Sequence, residues 1–321
     1  MVGFIYHVIR TARPRQWLKN LSLFAAPVFA GTLFETNVFA NTVKGVVVFC
    51  ILSSGIYFFN DLMDAPKDRL HPIKRNRAIA SGKISAKQAQ IIIFILLGGS
   101  VLGGYFFVGT YFTLAVIFYI AIQVAYSIKI RNIIILEALF VAGGFIIRVF
   151  AGGFAAESSV SSWLILTTTG LSLLLAFGKR RSEKTILLKH LDTKDQIKTR
   201  DTLRHYPDNL LNSMISMSST FCIITYALFA FQISPETNDA AITKVLPSII
   251  SSPKWMMLTI PIVIYGVARY LYVIYEKEEG ESPARVLMSD KPLFASVITW
   301  GVATLFVIYL LPSILIYFST L

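Results

Sequence analysis

The sequence predicts an all-α integral membrane protein, and three observations predict it. Of its 321 residues, 55% are hydrophobic and only 15% are charged, with a mean hydropathy of +0.64. Apolar runs long enough to cross a bilayer as helices recur along the whole chain. The basic excess, a net charge of +12, gathers in alternate connections between those runs. Soluble domains carry about a quarter of their residues as charge, so an ordinary soluble enzyme is excluded. A disordered chain is excluded by the same apolar content.

Nine apolar runs are read as spans: 17–36, 43–60, 90–108, 111–128, 133–153, 160–178, 211–233, 255–275 and 293–318. Basic residues ahead of the first run resemble a signal peptide, but no small-residue cleavage pattern follows, so the segment is read as retained. The third and fourth runs almost touch at Val108–Tyr111 and require a tight helical hairpin. Gly98, Gly99, Gly103 and Gly104 would let the third span pack closely on a neighbour. Cys50 and Cys222 lie inside apolar runs without metal or redox spacing, and no disulfide is expected.

Orientation follows from the basic residues. With the N-terminus in the cytoplasm, all Lys and Arg fall in the N-terminal arm and the loops 61–89, 129–132, 179–210 and 276–292, apart from Lys44, Arg148, Lys244, Lys254 and Arg269. That asymmetry sets the N-terminus inside and the C-terminus outside. It also explains the basic excess, so no nucleic acid partner is expected.

The chemistry is concentrated after the second run, in Asn60-Asp61-Leu62-Met63-Asp64-Ala65-Pro66-Lys67-Asp68. Aspartates at i, i+3 and i+7 share one face of a helix and repel each other unless spread in water or gathered around a cation. Asn60, Asp61, Asp64 and Asp68 form an oxygen-only donor set suited to Mg²⁺, which keeps waters and shares substrate phosphates. Pro66 argues that Asp68 comes from a broken turn. Downstream, Lys74 and Arg77 sit in a dense basic stretch of the kind that holds a diphosphate. Lys83 and Lys87 read as topology charges. After the sixth run, Gly178-Lys179-Arg180-Arg181-Ser182-Glu183 is mainly cationic and can hold a further phosphate. Glu137 and Arg148 lie within the fifth run, where a charge marks a functional site by default. Lys129 and Arg131, at a span boundary, can alternatively snorkel to lipid phosphates. The histidines, at 7, 71, 190 and 205, show no ligand spacing, and 184–209 reads as an amphipathic surface element.

The N-D-x-x-D-x-x-x-D pattern after the second span resembles the first aspartate motif of the UbiA-type membrane prenyltransferase superfamily. Several further segments resemble its polyprenyl-phosphate phosphoribosyltransferase branch. They are Arg13-Pro14-Arg15-Gln16-Trp17-Leu18-Lys19-Asn20, Tyr126-Ser127 through Arg131 to Glu137, Gly144-Phe145 with Arg148 and Ala151-Gly152-Gly153, and Gly178-Lys179-Arg180 with Glu183. Arg269-Tyr270 and Glu281-Ser282-Pro283 with Asp290 also fit. Ala78 and Arg131 depart from the branch's usual Pro and Lys.

The resemblance implies one domain, 1–321, of nine helices around a central cavity, with cytosolic catalytic loops near 61–89 and 179–210. It implies a Mg²⁺-dependent enzyme of a bacterial-type plasma membrane, serving cell-envelope glycan synthesis. Its reaction would move 5-phosphoribosyl from 5-phosphoribosyl 1-diphosphate to a polyprenyl phosphate of decaprenyl type. Asp61, Asp64 and Asp68 would be catalytic and, with Asn60, hold the metal. Arg15, Lys19, Lys74, Arg77, Tyr126, Arg131, Glu137, Arg148, Lys179 and Arg180 would bind substrates. A homo-oligomer is left open. The alternatives are a prenyltransferase with an isoprenyl diphosphate donor, and a transporter or non-catalytic lipid-binding protein.

Overall fold

The computed structural model describes residues 2–70, 74–190, 206–234, 254–277 and 283–319, and every regular element among them is helical. Among the described residues, eight helical stretches are long and apolar enough to cross a membrane. The chain divides into two units, Met1–Val160 and Ser161–Leu321.

The first unit opens with amphipathic α1 (Val2–Ala12), whose Val8 and Ala12 pack against buried Phe58, Ala65 and Ile79. The first expected span, 17–36, is broken. A 3-10 segment, Pro14–Phe24, leads into the short α2 (Ala25–Phe29). Pro27 has no N–H for the carbonyl of Leu23 four residues back. That carbonyl rests instead against Gly152, where an added Cβ would come 1.9 Å from the oxygen. The polar residues of the 3-10 segment are met by small hydroxyls on the next helix. The Trp17 indole donates to Ser54 at 3.1 Å, and the Asn20 amide donates to Ser53 at 3.2 Å.

α3 (Thr36–Asp68) is a 33-residue helix. It rises about 50 Å against a hydrocarbon core of about 30 Å, so its polar end, Asn60–Asp68, has length to reach beyond the core. It runs unbroken through Pro66, contrary to the broken turn that proline suggests. A Ser85–Gln88 capping box starts α4 (Ala86–Phe107), and α5 (Thr110–Ile128) follows after Val108-Gly109. This is the tight hairpin the sequence requires, with Gly109 at φ 144°. Of the α4 glycines, Gly103 faces Val48 of α3 and Gly104 faces Phe112 and Thr113 of α5, as expected, whereas Gly98 and Gly99 meet nothing within 4 Å. Gly55 on α3 accommodates Leu96 and Leu97. After a 3-10 turn at Ile130–Asn132 comes α6 (Leu136–Ala156). Leu23, Phe49, Leu52, Phe112, Val116, Tyr119 and Ile147 fill the core among these elements.

In the second unit, α7 (Ser162–His190) extends past the expected span 160–178 and carries Lys179 to Glu183 as helix. It lies close to α8 (Asp208–Ile233), because Gly170 faces the backbone of Cys222. A 3-10 turn, Trp255–Thr259, leads to α9 (Ile260–Tyr272), which continues into a π-helical turn, Val273–Lys277. Then come α10 (Pro283–Ser289), α11 (Lys291–Leu305), a π-helical turn at Phe306–Leu310 and α12 (Leu311–Ser319). Cys50 and Cys222 are free thiols, as expected. His71, the stretch 191–205, and Glu281 and Ser282 lie outside the described residues.

The Leu23–Gly152 contact makes one position sensitive to a single methyl group. Gly152→Ala is expected to destabilise the protein by about 1–3 kcal/mol or more, since backbone must move to admit it. A melting temperature in detergent equal to that of the natural protein would refute the contact.

Candidate active site

The aspartate face at the end of α3 is met by arginines from three other segments. Arg13, between α1 and the 3-10 segment, donates through Nη2 to Asp61 Oδ1 at 2.5 Å. Arg77, between α3 and α4, places Nη1 3.2 Å from the same oxygen and 2.8 Å from Asp68 Oδ2. Arg131, in the turn after α5, reaches Asp64 Oδ1 at 2.5 Å. Asp61 and Asp68 are buried, while Asp64 is half-buried. Each carboxylate therefore has a guanidinium partner, and the like-charge repulsion along one helix face is relieved. Asn60 Oδ1 accepts from Ser127 Oγ at 2.5 Å, which ties the acidic end of α3 to the last turn of α5.

These residues fit a hard divalent cation at one point. Oxygens of Asp61 and Asp68 converge on a single cationic nitrogen, Arg77 Nη1, and every donor nearby is oxygen. The expected set of three carboxylates on one ion is not assembled: Asp64 faces Arg131, and no acidic trio closes on a point among the described residues.

The other residues predicted in the first unit lie on several elements. Tyr126 is half-buried beside Ser127 on α5. Lys74 is exposed in a 3-10 turn, Lys74–Asn76. Arg15 is exposed on the 3-10 segment and Lys19 half-buried there. Glu137 is buried in the first turn of α6. Arg148 is also buried, and its guanidinium meets neutral oxygens. It donates to Asn20 Oδ1 at 3.0 Å, Tyr119 Oη at 2.6 Å and the Gly144 carbonyl at 2.9 Å. The rings of Tyr119 and Phe145 lie beneath it. Arg148 thus fastens the 3-10 segment to α5 and α6.

In the second unit, Lys179 and Arg180 both engage Glu183, the lysine at 3.6 Å. Arg181 and Lys184 share Asp208 at 2.9 and 3.0 Å. Gly178 lets α7 approach α9, where a Cβ would come 2.6 Å from Ile274 and 3.0 Å from Tyr270 Oη. Arg269 grips Asp290 through two bonds of 2.9 and 3.0 Å, and Asp290 also caps α11. That pair accounts structurally for Arg269 and Asp290 in the sequence pattern.

Sequence reasoning gave no role to Arg13, Tyr57, Asn20, Tyr119 or Ser127. Arg13, Asn20 and Ser127 stand in segments that carry the family resemblance, which was their signal. Tyr57 and Tyr119 are ordinary polar residues in apolar runs, visible only once distant segments meet.

A membrane-length helix thus ends in aspartates, each answered by an arginine from another segment. The family model of the UbiA prenyltransferase family matches residues 22–298, and the chain belongs to that family. It is 31% identical over 309 residues to the decaprenyl-phosphate phosphoribosyltransferase of Corynebacterium glutamicum, across 95% of this chain and 87% of that one. The enzyme of that name from Mycolicibacterium smegmatis is 31% identical over 297 residues, covering 91% and 89%. Among solved structures, a UbiA homolog from Archaeoglobus fulgidus bound to DMAPP and Mg²⁺ superimposes with a TM-score of 0.66. Its identity is 19%, over 95% of this chain and 99% of that one, which establishes the shared fold.

Proposed function

We propose that the protein transfers 5-phosphoribosyl from 5-phosphoribosyl 1-diphosphate to the phosphate of a polyprenyl phosphate of decaprenyl type, releasing diphosphate. The observation that carries this reading is its likeness, over nearly the whole chain, to two decaprenyl-phosphate phosphoribosyltransferases. The site supports it with chemistry suited to a diphosphate leaving group.

Asp61 and Asp68 would hold Mg²⁺, with Asn60 and Asp64 beside them. When bound, the ion supplies charge neutralisation for the departing diphosphate. Arg77 and Lys74 orient the diphosphate, the guanidinium by paired N–H bonds. The lipid phosphate is already an anion, so no strong general base is needed. Its approach is guided by Arg15, Lys19 and Arg131, with Tyr126 and Glu137 alongside. Arg148 is reassigned from a direct phosphate ligand to a positioning residue. Buried on Asn20, it holds the segment that presents Arg15 and Lys19. Lys179 and Arg180 hold the 5-phosphate of the donor.

We place the whole chain, 1–321, in one UbiA-like membrane domain of the plasma membrane, with 61–89 and 179–210 facing the cytosol. In a background lacking Cys50 and Cys222, Arg75→Cys is expected to resist an impermeant thiol reagent applied from outside. Modification from outside would invert the topology.

Donor selection tests the function. Purified protein is given polyprenyl phosphate with radiolabelled phosphoribosyl diphosphate or isoprenyl diphosphate, and organic-phase label is read. Label from phosphoribosyl diphosphate alone is expected. Label from the isoprenyl donor alone would make the protein a prenyltransferase, and label from neither would reject this reaction.

A further inference from the structure

Arg13 stands in a backbone conformation that its residue type disfavours. Its φ and ψ are 54° and 61°, in the left-handed region, where any Cβ crowds the backbone. Its side chain caps nothing: toward the 3-10 segment that begins after it, only the Arg13 carbonyl bonds, accepting from the Gln16 N–H at 2.8 Å. A glycine would take this conformation without strain. What the arginine adds is its guanidinium, which lies over the ring of Tyr57 at 5.0 Å and donates through Nη2 to Asp61. The oxygen it reaches is the one already approached by Arg77. Asp61 thus carries two guanidiniums on a single oxygen. Arg13 Nε and Nη1 make no hydrogen bond to the described residues, and its side chain is 33% exposed. A guanidinium with one nitrogen engaged and two edges unspent can exchange a carboxylate for a phosphate without leaving its place over the ring.

We propose that Arg13 is a further donor-site residue: it screens Asp61 when the site holds no substrate, and passes to the donor's diphosphate when Asp61 takes up the divalent ion. The proposal rests on the phosphoribosyl diphosphate reading of the site. It gives Arg13 opposite effects on the two partners of Asp61. As a cation beside the carboxylate it opposes metal binding; as a phosphate ligand it favours diphosphate binding. A residue serving the fold alone would shift both in the same direction, together with stability.

The test uses the purified full-length protein, with Mn²⁺ followed by electron paramagnetic resonance and inorganic diphosphate by calorimetry at saturating Mn²⁺. Arg13→Gly is expected to bind Mn²⁺ alone several-fold more tightly, because a competing cation is gone. It is expected to bind diphosphate about tenfold or more weakly, the scale of one charge-assisted contact. Its melting temperature should equal or exceed that of the natural protein, since glycine relieves the backbone. Arg13→Lys should recover part of the diphosphate affinity. Unchanged binding of both probes in Arg13→Gly would overturn the proposal. So would weaker Mn²⁺ binding with a lower melting temperature, which marks a structural residue. If the natural protein binds neither probe, the donor-site reading itself fails and takes the proposal with it.

Discussion

Replacing Asp61 with asparagine is expected to lower turnover by at least about a hundredfold, the scale of removing a key electrostatic group at a developing charge. Asp61 is buried at the end of α3 and is approached by two arginines. Asparagine keeps the shape but removes the charge that holds Arg13 and Arg77, and its amide can turn donors toward donors. Both the proposed metal position and the arrangement of the two guanidiniums are lost together. Asp64→Asn should cost less, because Asp64 is half-buried and answers Arg131 alone. Melting curves separate this from collapse of the fold: Asp61→Asn should still melt cooperatively while its turnover is gone. Excess chelator should abolish activity in the natural protein. Full activity in chelator, or in Asp61→Asn, would reject the metal assignment.

The membrane class and the placement of the aspartates were legible because they rest on local properties. Apolar runs of helical length, a two-residue hairpin at Val108-Gly109, and an i, i+3, i+7 acidic face each follow from short stretches. What was not legible depends on partners far along the chain. Pro27 marks the first run as irregular, but the room for the Leu23 carbonyl is left by Gly152, far along the chain. The four α4 glycines look like one packing surface, yet of them Gly103 and Gly104 face a neighbouring helix, and α4 is also approached closely at Gly55 on α3. Pro66 suggests a break, but a helix near its end loses only one interior hydrogen bond there. Arg148 reads as a ligand-binding charge because a buried arginine needs acceptors. Those acceptors proved to be Asn20, Tyr119 and a backbone carbonyl, and Asn20 lies in the 3-10 segment. Spacing puts three carboxylates on one face, but a side chain follows its nearest cation, and Arg131 draws Asp64 aside.

Arg180→Ala is expected to weaken donor binding by roughly ten- to a hundredfold, the loss of a charge-assisted contact worth about 1.5–3 kcal/mol. The affinity for polyprenyl phosphate should move much less. The geometry ranks the neighbours. Arg180's side chain is 7% exposed and Lys179's is 43%, so water screens the lysine far more. Lys179→Ala should therefore produce only a few-fold loss. Both cations meet one carboxylate, Glu183, on α7. Glu183→Gln separates charge from scaffolding, because it keeps both cations and removes their anchor. If charge is what the donor meets, Glu183→Gln should harm donor binding far less than Arg180→Ala. Equal damage from the two would make the cluster a structural brace for α7. A change in acceptor affinity alone would assign Arg180 to the lipid phosphate. A bland inner-loop role predicts no change in either affinity, because the neighbouring bases would preserve the topology. Measuring both apparent affinities for the three variants in detergent, beside their melting temperatures, decides among these outcomes.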